Sequence, residues 1–255
     1  MVTTGADQPA PRRDRFTSKG QAAARFVAQR GLLKPVAWST VKVTVVGKKQ
    51  LKDVPKAFVV IANHSSHLDA PLIMGALPRK QARYLAAGAA ADYFFDVWWR
   101  RGLTALFFNA FPVDRSGSNP RSVSAKSLLE RGVPLLVFPE GTRSKTGEMG
   151  RFKPGAAALS SSTGAPILPI AIIGAHESHP RGSKWPRSGR PVGVVFGAPM
   201  LAAPEENPTE FMARVRAQVV AMHTEHSAHI LNGQTPDPKR SAPKRVMKRA
   251  QKEKK

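Results

Sequence analysis

Residues 57–69 read AFVVIANHSSHLD, an apolar run that passes directly into a cluster of polar side chains. A run of six apolar residues is typical of a strand that is covered on both faces of a sheet. A helix is predicted to begin near Asp69, because Asp is a good cap and Pro71 suits a first helical turn. The stretch therefore predicts a buried strand, a polar turn that carries His64, and a helix.

The same order of elements recurs along the chain. Apolar or alternating runs predict strands at 41–45, 105–113, 133–138, 167–173 and 192–196. Residue patterns predict further helices at 89–101, 120–131, 155–161 and 208–231. Alternation of strands and helices is typical of α/β proteins. The predicted fold is therefore α/β: a single domain with a mostly parallel or mixed central sheet flanked by helices, plus an N-terminal amphipathic helical segment.

Composition divides the chain into four parts. Residues 1–19 are polar and aperiodic, which predicts a disordered N-terminus. Residues 20–38 predict a basic amphipathic helical segment, interrupted near Gly31 and Pro35, that either packs on the domain or lies on a membrane surface. Residues 39–232 are expected to form the folded domain. Residues 233–255 are rich in Pro, Lys and Arg, which predicts a disordered basic tail.

The charge balance predicts a polyanionic partner. Lys and Arg number 40 and Asp and Glu number 17, and the formal net charge of +23 attracts nucleic acid, anionic lipid, phosphorylated metabolites or an acidic carrier protein. The absence of cysteine excludes disulfides, thiolate zinc sites and a cysteine acyl-enzyme. The N-terminus shows no secretory signal pattern, and the longest uncharged stretch, 154–176, is broken by Ser, Gly and Pro. Any membrane association is therefore expected to be peripheral.

The first polar cluster supplies a candidate general base. His64 and Asp69 would lie on different faces of a single helix, whereas a turn between strand and helix could bring the carboxylate to the imidazole. Such a carboxylate fixes the tautomer and leaves the other ring nitrogen free to accept a proton. No Gly-x-Ser-x-Gly elbow is present, so the simplest chemistry is direct: the base deprotonates a substrate hydroxyl, which attacks an acyl carbon. A structural histidine, or a metal set of His64, His67 and Asp69, is the alternative.

The second polar cluster, 138–144 (FPEGTRS), suits a phosphate. A glycine turn after a strand exposes backbone N–H groups, and Arg143 presents a planar fork of donors. Arg115 and Lys153 could add positive charge. Glu140 either orients an acceptor hydroxyl or fixes Arg143, whose own alternative role is a surface salt bridge. If their strands are parallel neighbours, the clusters 63–69, 114–115 and 139–144 line one crevice at the carboxyl ends of the strands.

These motifs resemble those of the glycerophosphate and lysophosphatidic acid acyltransferases. The family's Asn-His-x4-Asp signature matches Asn63, His64 and Asp69, and its Phe-Pro-Glu-Gly-Thr-Arg-Ser signature matches 138–144 without change. A strand that ends in Asp-Arg matches 111–115, and an apolar segment with two prolines matches 165–170. The resemblance covers about residues 35–200, with the four motifs in order.

The resemblance implies an enzyme, a glycerolipid O-acyltransferase of phospholipid biosynthesis whose acyltransferase domain is 39–232. It implies that His64 is the general base and that Asp69 orients it. The substrate-binding residues it implies are Arg115, Glu140, Gly141, Thr142, Arg143 and Lys153. The expected donor is acyl-CoA or an acyl carrier protein thioester, the expected acceptor is glycerol-3-phosphate or lysophosphatidic acid, and no metal or bound cofactor is expected. The expected location is the cytoplasmic face of the membrane, where the protein is held peripherally on an anionic surface.

Other functions are compatible with parts of this pattern. An acyltransferase for another lipid acceptor, such as a glycolipid or an amino-lipid, would use the same histidine and aspartate. A basic nucleic-acid-binding protein would explain the charge, but the basic residues are not interleaved with a stacking aromatic array. Such a protein would also leave the two polar clusters without a role, so no nucleic acid partner is expected.

Overall fold

A mixed β-sheet lies at the centre of the protein. The structure, a computed structural model, describes residues 15–52, 54–90, 106–113 and 124–233. Within these residues the sheet has seven strands: β1 (Lys42–Val46), β2 (Val59–Ala62), β3 (Ala86–Ala90), β4 (Phe111–Val113), β5 (Leu135–Val137), β6 (Ile167–Ile173) and β7 (Pro191–Phe196). They lie in the order β1-β7-β6-β2-β5-β3-β4. Every neighbouring pair is parallel except β6 and β7, so the predicted α/β fold with a mostly parallel or mixed sheet is confirmed.

The six predicted strands are all present, but two predictions near the sheet edge are wrong. The strand predicted at 105–113 is confined to β4, and residues 106–108 form a helical turn instead. The sequence predicts a helix at 89–101, but residues 89 and 90 belong to β3. Residues 91–101 of that predicted helix lie outside the described residues. The sequence of β3 is AAGAA, which carries no alternation. Its pairing with β4 on one side and β5 on the other explains the extended backbone.

The N-terminal helical segment is present and interrupted where the sequence predicts. Helix α1 (Lys19–Ala28) leads through a π-helical turn (Gln29–Leu33) into α2 (Lys34–Thr40). The prediction of disorder through residue 19 is wrong at its end. Phe16 is only 2% exposed and belongs to the core, and Ser18 caps α1. Residues 1–14 lie outside the described residues.

The remaining helices connect the strands. They are α3 (Asp69–Ala76), α4 (Arg79–Ala82), α5 (Ala125–Glu130), α6 (Gly155–Thr163), α7 (Ala175–Ser178) and α8 (Pro208–Leu231). Helix α3 begins near Asp69 as predicted, although Leu68 occupies the cap position and Asp69 is the first helical residue. Helix α8 has the predicted bounds and starts with a capping box between Asn207 and Glu210. Within the described residues, none of the helices is both long enough and apolar enough to cross a bilayer.

Two apolar cores cover the two faces of the sheet. Successive side chains of a strand point to opposite faces. Val59 and Ile61 of β2 pack in one core with α5, α6 and α8, whereas Val60 and Ala62 pack in the other with α3 and α4. All four residues of β2 are buried, so the prediction of a strand covered on both faces is confirmed. Burying a large aliphatic side chain stabilises the fold by about 1.5–3 kcal/mol, and this central strand is therefore a firm support for the loop that follows it.

Candidate active site

Two polar clusters meet at the carboxyl edge of the sheet because their strands are parallel neighbours. Strand β2 pairs with β5 in parallel, with Ile61 opposite Val137. The residues that follow the two strands, 63–69 and 138–144, therefore leave the sheet side by side, as the sequence predicts. The third predicted cluster, Asp114 and Arg115, follows β4 and lies outside the described residues.

Asn63 joins the end of β2 to β6. Its side-chain amide donates to the carbonyl of Ile172 at 2.9 Å, and its side-chain oxygen accepts from the Ile172 N–H at 2.8 Å. The buried amide thus replaces a backbone pair and lets the chain turn away from the sheet at this residue. The sequence shows Asn63 only as part of a motif and does not indicate this partner, which is 109 residues away.

The turn after Asn63 brings His64 and Asp69 together. His64 Nδ1 lies 2.8 Å from Asp69 Oδ2, and the Asp69 side chain is fully buried. The same oxygen accepts the backbone N–H groups of Ser65 at 2.7 Å and Ser66 at 2.8 Å. Three donors on one oxygen suit an ionised carboxylate, and the positive end of α3 favours a negative charge there. With Nδ1 hydrogen-bonded to Asp69, Nε2 is the nitrogen that can accept a proton.

The imidazole of His64 is also held from the second cluster. The ring stacks on Phe138 with a centroid distance of 3.9 Å and an interplanar angle of 15°. The side chain of His64 keeps 21% of its surface exposed, so the ring is partly accessible from outside the protein. The stacking fixes the plane of the ring, whereas the bond to Asp69 fixes its rotation within that plane.

Glu140 and Ser144 hold the backbone of His64. The N–H of His64 donates to Glu140 Oε1 at 2.8 Å, and the N–H of Ser144 donates to the His64 carbonyl at 2.8 Å. Glu140 Oε2 accepts the N–H of Gly150 at 3.0 Å. Burial raises the pKa of Glu140, and the hydrogen bonds from His64 and Gly150 act in the opposite direction. Glu140 therefore connects the two loops through backbone contacts, a role that the sequence does not reveal.

A pocket of about 350 Å³ lies beside the chain that follows β5, and its lining residues lie between Glu140 and Arg151. Three of the predicted substrate-binding residues, Glu140, Thr142 and Arg143, line it, and Arg151, which belongs to no motif in the sequence, adds a second guanidinium. Two planar cationic groups around an open pocket are suited to bind a phosphate. The geometry therefore brings a candidate anion site next to the candidate base.

Gly141, in the turn that follows β5, and Lys153 lie against each other. Gly141 has a positive φ of 77°, a conformation that side chains other than glycine rarely adopt. A Cβ atom at this position would lie 3.1 Å from Lys153 Nζ, and the backbone N–H of Lys153 donates to the Pro139 carbonyl at 3.0 Å. Both residues thus shape the turn that carries Thr142 and Arg143.

His67 lies close to His179, with a distance of 5.8 Å between the two ring centroids. Desolvation and the nearby charge of Arg143 lower the pKa of His67 to about 4, so His67 is neutral near pH 7. Within the described residues, His64, His67 and Asp69 do not form a group that could hold a metal ion, and no other cluster of three or more such side chains does.

Comparison with known proteins identifies the class to which this fold and site belong. The family model described as Acyltransferase matches residues 42–173, which include β1, β2, β5 and β6 and both polar clusters. That span is just over half of the chain, and the protein belongs to the acyltransferase family.

Individual relatives carry a narrower name. The chain is 29% identical over 182 residues to a 1-acyl-sn-glycerol-3-phosphate acyltransferase of Chlamydomonas reinhardtii. The aligned region covers 71% of this chain and 52% of the relative. It is 40% identical over 82 residues to a protein of the same name from Pseudomonas aeruginosa, covering 30% of this chain and 29% of that one. The crystal structure of the 1-acyl-sn-glycerophosphate (LPA) acyltransferase PlsC from Thermotoga maritima matches with a TM-score of 0.63 and 27% identity, over 83% of this chain and 85% of that chain. The chain spans about half the length of the first curated relatives that it matches.

Proposed function

We propose that this protein transfers a fatty acyl group from an acyl thioester to a hydroxyl group of lysophosphatidic acid or glycerol-3-phosphate. The observation that carries the proposal is the 2.8 Å contact between His64 Nδ1 and the buried Asp69 carboxylate, next to a pocket lined by Arg143 and Arg151. The names of the relatives, which are acyltransferases of 1-acyl-sn-glycerol-3-phosphate, support the choice of acceptor.

The proposed reaction uses His64 first as a base and then as an acid. Nε2 takes the proton of the acceptor hydroxyl, and the hydroxyl oxygen attacks the thioester carbonyl carbon to form the new C–O bond. The tetrahedral intermediate then breaks its C–S bond, and the departing thiolate receives the proton from Nε2. Asp69 keeps the ring in the tautomer that exposes Nε2 and stabilises the imidazolium that forms between the two steps.

The pocket beside Glu140 is proposed to bind the phosphate of the acceptor. Arg143 and Arg151 supply charge, and Thr142 supplies a hydroxyl. Gly141 and Lys153 shape the turn, and Arg115, outside the described residues, is proposed to add a further cation. The reaction as proposed needs no metal or bound cofactor, because base catalysis and phosphate binding account for all of its steps. Acyl-CoA and acyl carrier protein are the proposed donors.

The proposed location is the cytoplasmic side of a membrane, where the protein is attached peripherally. The acceptor and the product are lipids, and a net charge of +23 favours an anionic surface. The N-terminal helical segment is proposed to help with this attachment. One face of it packs on the domain, where the guanidinium of Arg30 donates to the carbonyls of Gly75 and Leu77. Another face leaves Val27, Leu32 and Val36 exposed by 67%, 56% and 56%.

Acyl transfer from palmitoyl-CoA or palmitoyl carrier protein tests the proposal, with lysophosphatidic acid and glycerol-3-phosphate offered separately. We expect activity with at least one phosphorylated acceptor and a loss of about 10²–10⁴-fold in kcat for His64→Ala, the usual contribution of general acid–base catalysis. His229→Ala, which removes an exposed histidine from the end of α8, is the matched control and should keep full activity. Equal activity of His64→Ala and wild type would exclude the proposed base. If the folded protein is inactive with both acceptors and both donors, the substrate assignment is wrong.

A further inference from the structure

The segment that joins α7 to β7 lies at the rim of the crevice. We call residues 180–190 the rim loop. Strand β6 points toward the carboxyl edge of the sheet and β7 runs antiparallel to it, so the connection between them lies on the same edge as His64. Ser66 donates its hydroxyl to the His179 carbonyl at 3.0 Å, and Arg181 donates to the Arg143 carbonyl at 3.4 Å. The rim loop therefore borders both polar clusters.

The rim loop displays a tryptophan among cations. Trp185 is 81% exposed, the highest value among the exposed large apolar residues of the described chain. The loop holds no Asp or Glu, and its four cationic residues are all exposed: Arg181, Lys184, Arg187 and Arg190. Exposure of an indole ring to bulk water is unfavourable. The headgroup level of a bilayer is a better environment, because the ring is partly covered there and its N–H stays hydrated.

Hydrogen bonds give the rim loop a defined shape. The Ser183 N–H donates to the Pro180 carbonyl at 3.1 Å, and the Ser183 hydroxyl donates to the Trp185 carbonyl at 2.9 Å. The Arg187 N–H donates to the Ser178 carbonyl at 2.6 Å, which closes the loop at its base. Trp185 is thus presented by an ordered backbone, so little conformational entropy is lost when the indole is covered.

The base of the rim loop adjoins the end of α2 in the N-terminal helical segment. The N–H of Gly189 donates to the carbonyl of Thr40 at the end of α2, at 2.8 Å. One turn earlier in α2, Val36 is 56% exposed, and Leu32 in the π-helical turn is exposed to the same extent. Exposed apolar residues therefore lie on two adjoining elements rather than on an isolated loop.

We propose that the rim loop docks on an anionic bilayer, with Trp185 at the headgroup level and Lys184 and Arg187 against anionic headgroups. Docking there turns the mouth of the crevice toward the membrane from which a lipid acceptor is taken; this consequence, but not the docking itself, rests on the proposed function. An acidic carrier protein would also match the cations. A bilayer is favoured because the adjoining helix α2 exposes a further apolar residue, Val36, and a bilayer surface takes up apolar side chains together with cations.

Sedimentation with vesicles of phosphatidylcholine mixed with phosphatidylglycerol tests the docking without relying on catalysis. We expect Trp185→Ala to weaken partitioning about tenfold, because the variant loses the apolar contact. We expect K184Q/R187Q to weaken it roughly thirtyfold, since each cation near an anionic surface contributes about fivefold. The controls Leu201→Ala and Lys56→Gln alter exposed residues at the opposite, amino edge of the sheet and should bind as wild type does. His64→Ala should also bind fully, which separates a failure of docking from a failure of the proposed chemistry.

Quenching of tryptophan fluorescence by lipids with brominated acyl chains gives a second, local measurement. The chain has four tryptophans, so the informative quantity is the difference between wild type and Trp185→Phe. We expect a quenched component that is lost in Trp185→Phe. Identical quenching in the two proteins, or unchanged sedimentation of Trp185→Ala and K184Q/R187Q, would overturn the proposal. If the same variants instead lose binding to acyl carrier protein while vesicle binding is intact, the rim loop is a carrier-protein site and the bilayer assignment is wrong.

Discussion

The carboxylate of Glu140 accepts two backbone N–H groups, one from His64 at 2.8 Å and one from Gly150 at 3.0 Å. At the scale of single residues, the position of His64, the candidate base, therefore depends on a side chain from the loop that follows β5. Asp69 fixes the ring of His64, whereas Glu140 fixes the backbone from which the ring extends. Burial raises the pKa of Glu140, and the two backbone hydrogen bonds act against that shift.

Glu140→Gln separates positioning from substrate binding. A glutamine has one acceptor oxygen, so one of the two N–H groups would face an NH₂ group and lose its partner. A hydrogen bond to a charged group contributes about 1.5–3 kcal/mol, so we expect kcat to fall roughly tenfold to hundredfold with KM close to that of wild type. Steady-state kinetics, with thermal unfolding as a check on folding, measure this effect.

The control for that prediction is Glu148→Gln. Glu148 is exposed and lines the same pocket, so its substitution alters the charge of the pocket without releasing His64. A large rise in KM for Glu140→Gln with kcat unchanged would contradict the positioning role and place Glu140 among the groups that bind the acceptor.

Local spacing predicts only part of this site. His64 and Asp69 lie five residues apart, so a single turn explains their contact and the sequence suffices to propose it. The contacts of His64 with Phe138 and Glu140 join residues more than 70 positions apart, and they depend on β2 and β5 being neighbours. Arg115 is proposed from the motif alone, since it lies outside the described residues.

At the scale of elements, Gly75 sets the distance between α2 and α3. A Cβ atom added at Gly75 would overlap the ring of Trp38, which packs directly on the glycine backbone. The N-terminal helical segment is thus attached to the domain by a close contact that tolerates no side chain. Arg30 adds its two bonds to the carbonyls of Gly75 and Leu77 at the end of the same helix.

Gly75→Ala should loosen the N-terminal helical segment. Overpacking at a tight contact typically costs about 1–3 kcal/mol, so we expect the free energy of unfolding to fall by that amount. Gly155→Ala is the matched control, because nothing lies within 4 Å of the added Cβ atom in α6. Alanine is the better helix former, so this control should leave stability unchanged or slightly higher. Equal stability of the two variants in urea unfolding would refute the tight contact.

The strands that the sequence predicts well are those with strong apolar patterns. Strands β2 and β6 are continuous apolar runs, and their burial on both faces follows directly from that composition. Strand β3 consists of Ala and Gly, whose side chains carry no strand signal, and only its two neighbours explain it. Phe16 shows the same limit: it is buried in a core whose other members all lie from Val59 onward, so the local sequence does not indicate its burial.

At the scale of the whole molecule, the basic tail carries a large share of the positive charge. Residues 234–255 contain nine Lys and Arg against one Asp and one Glu, a net charge of +7 out of +23. A segment of that charge attracts an anionic leaflet over a distance of about one Debye length, roughly 8–10 Å at physiological ionic strength.

Removal of residues 234–255 should weaken binding to vesicles that contain phosphatidylglycerol. The loss should be large in low salt and shrink as salt screens the charges, and binding to neutral phosphatidylcholine vesicles should not change. Sedimentation across a salt series measures this. The loss caused by Trp185→Ala should persist in high salt, because its apolar contact is not screened. Unchanged binding of the truncated protein in low salt would show that the tail has no part in attachment.

The position of β2 in the sheet has a consequence for the newly made chain. His64 and Asp69 are both synthesised early, but β2 is flanked by β5 and β6, and the partners of His64 and Asn63 are 76 and 109 residues further on. The chain must lose the entropy of closing these long loops before the contacts between their ends can stabilise it. Such long-range contacts therefore form late in folding. We therefore expect the contacts around His64 and Asn63 to form only after β5 and β6 have been synthesised. The proposed acyl transfer should then appear only once β6 has left the ribosome, so a nascent chain should not consume acyl donors during its own synthesis.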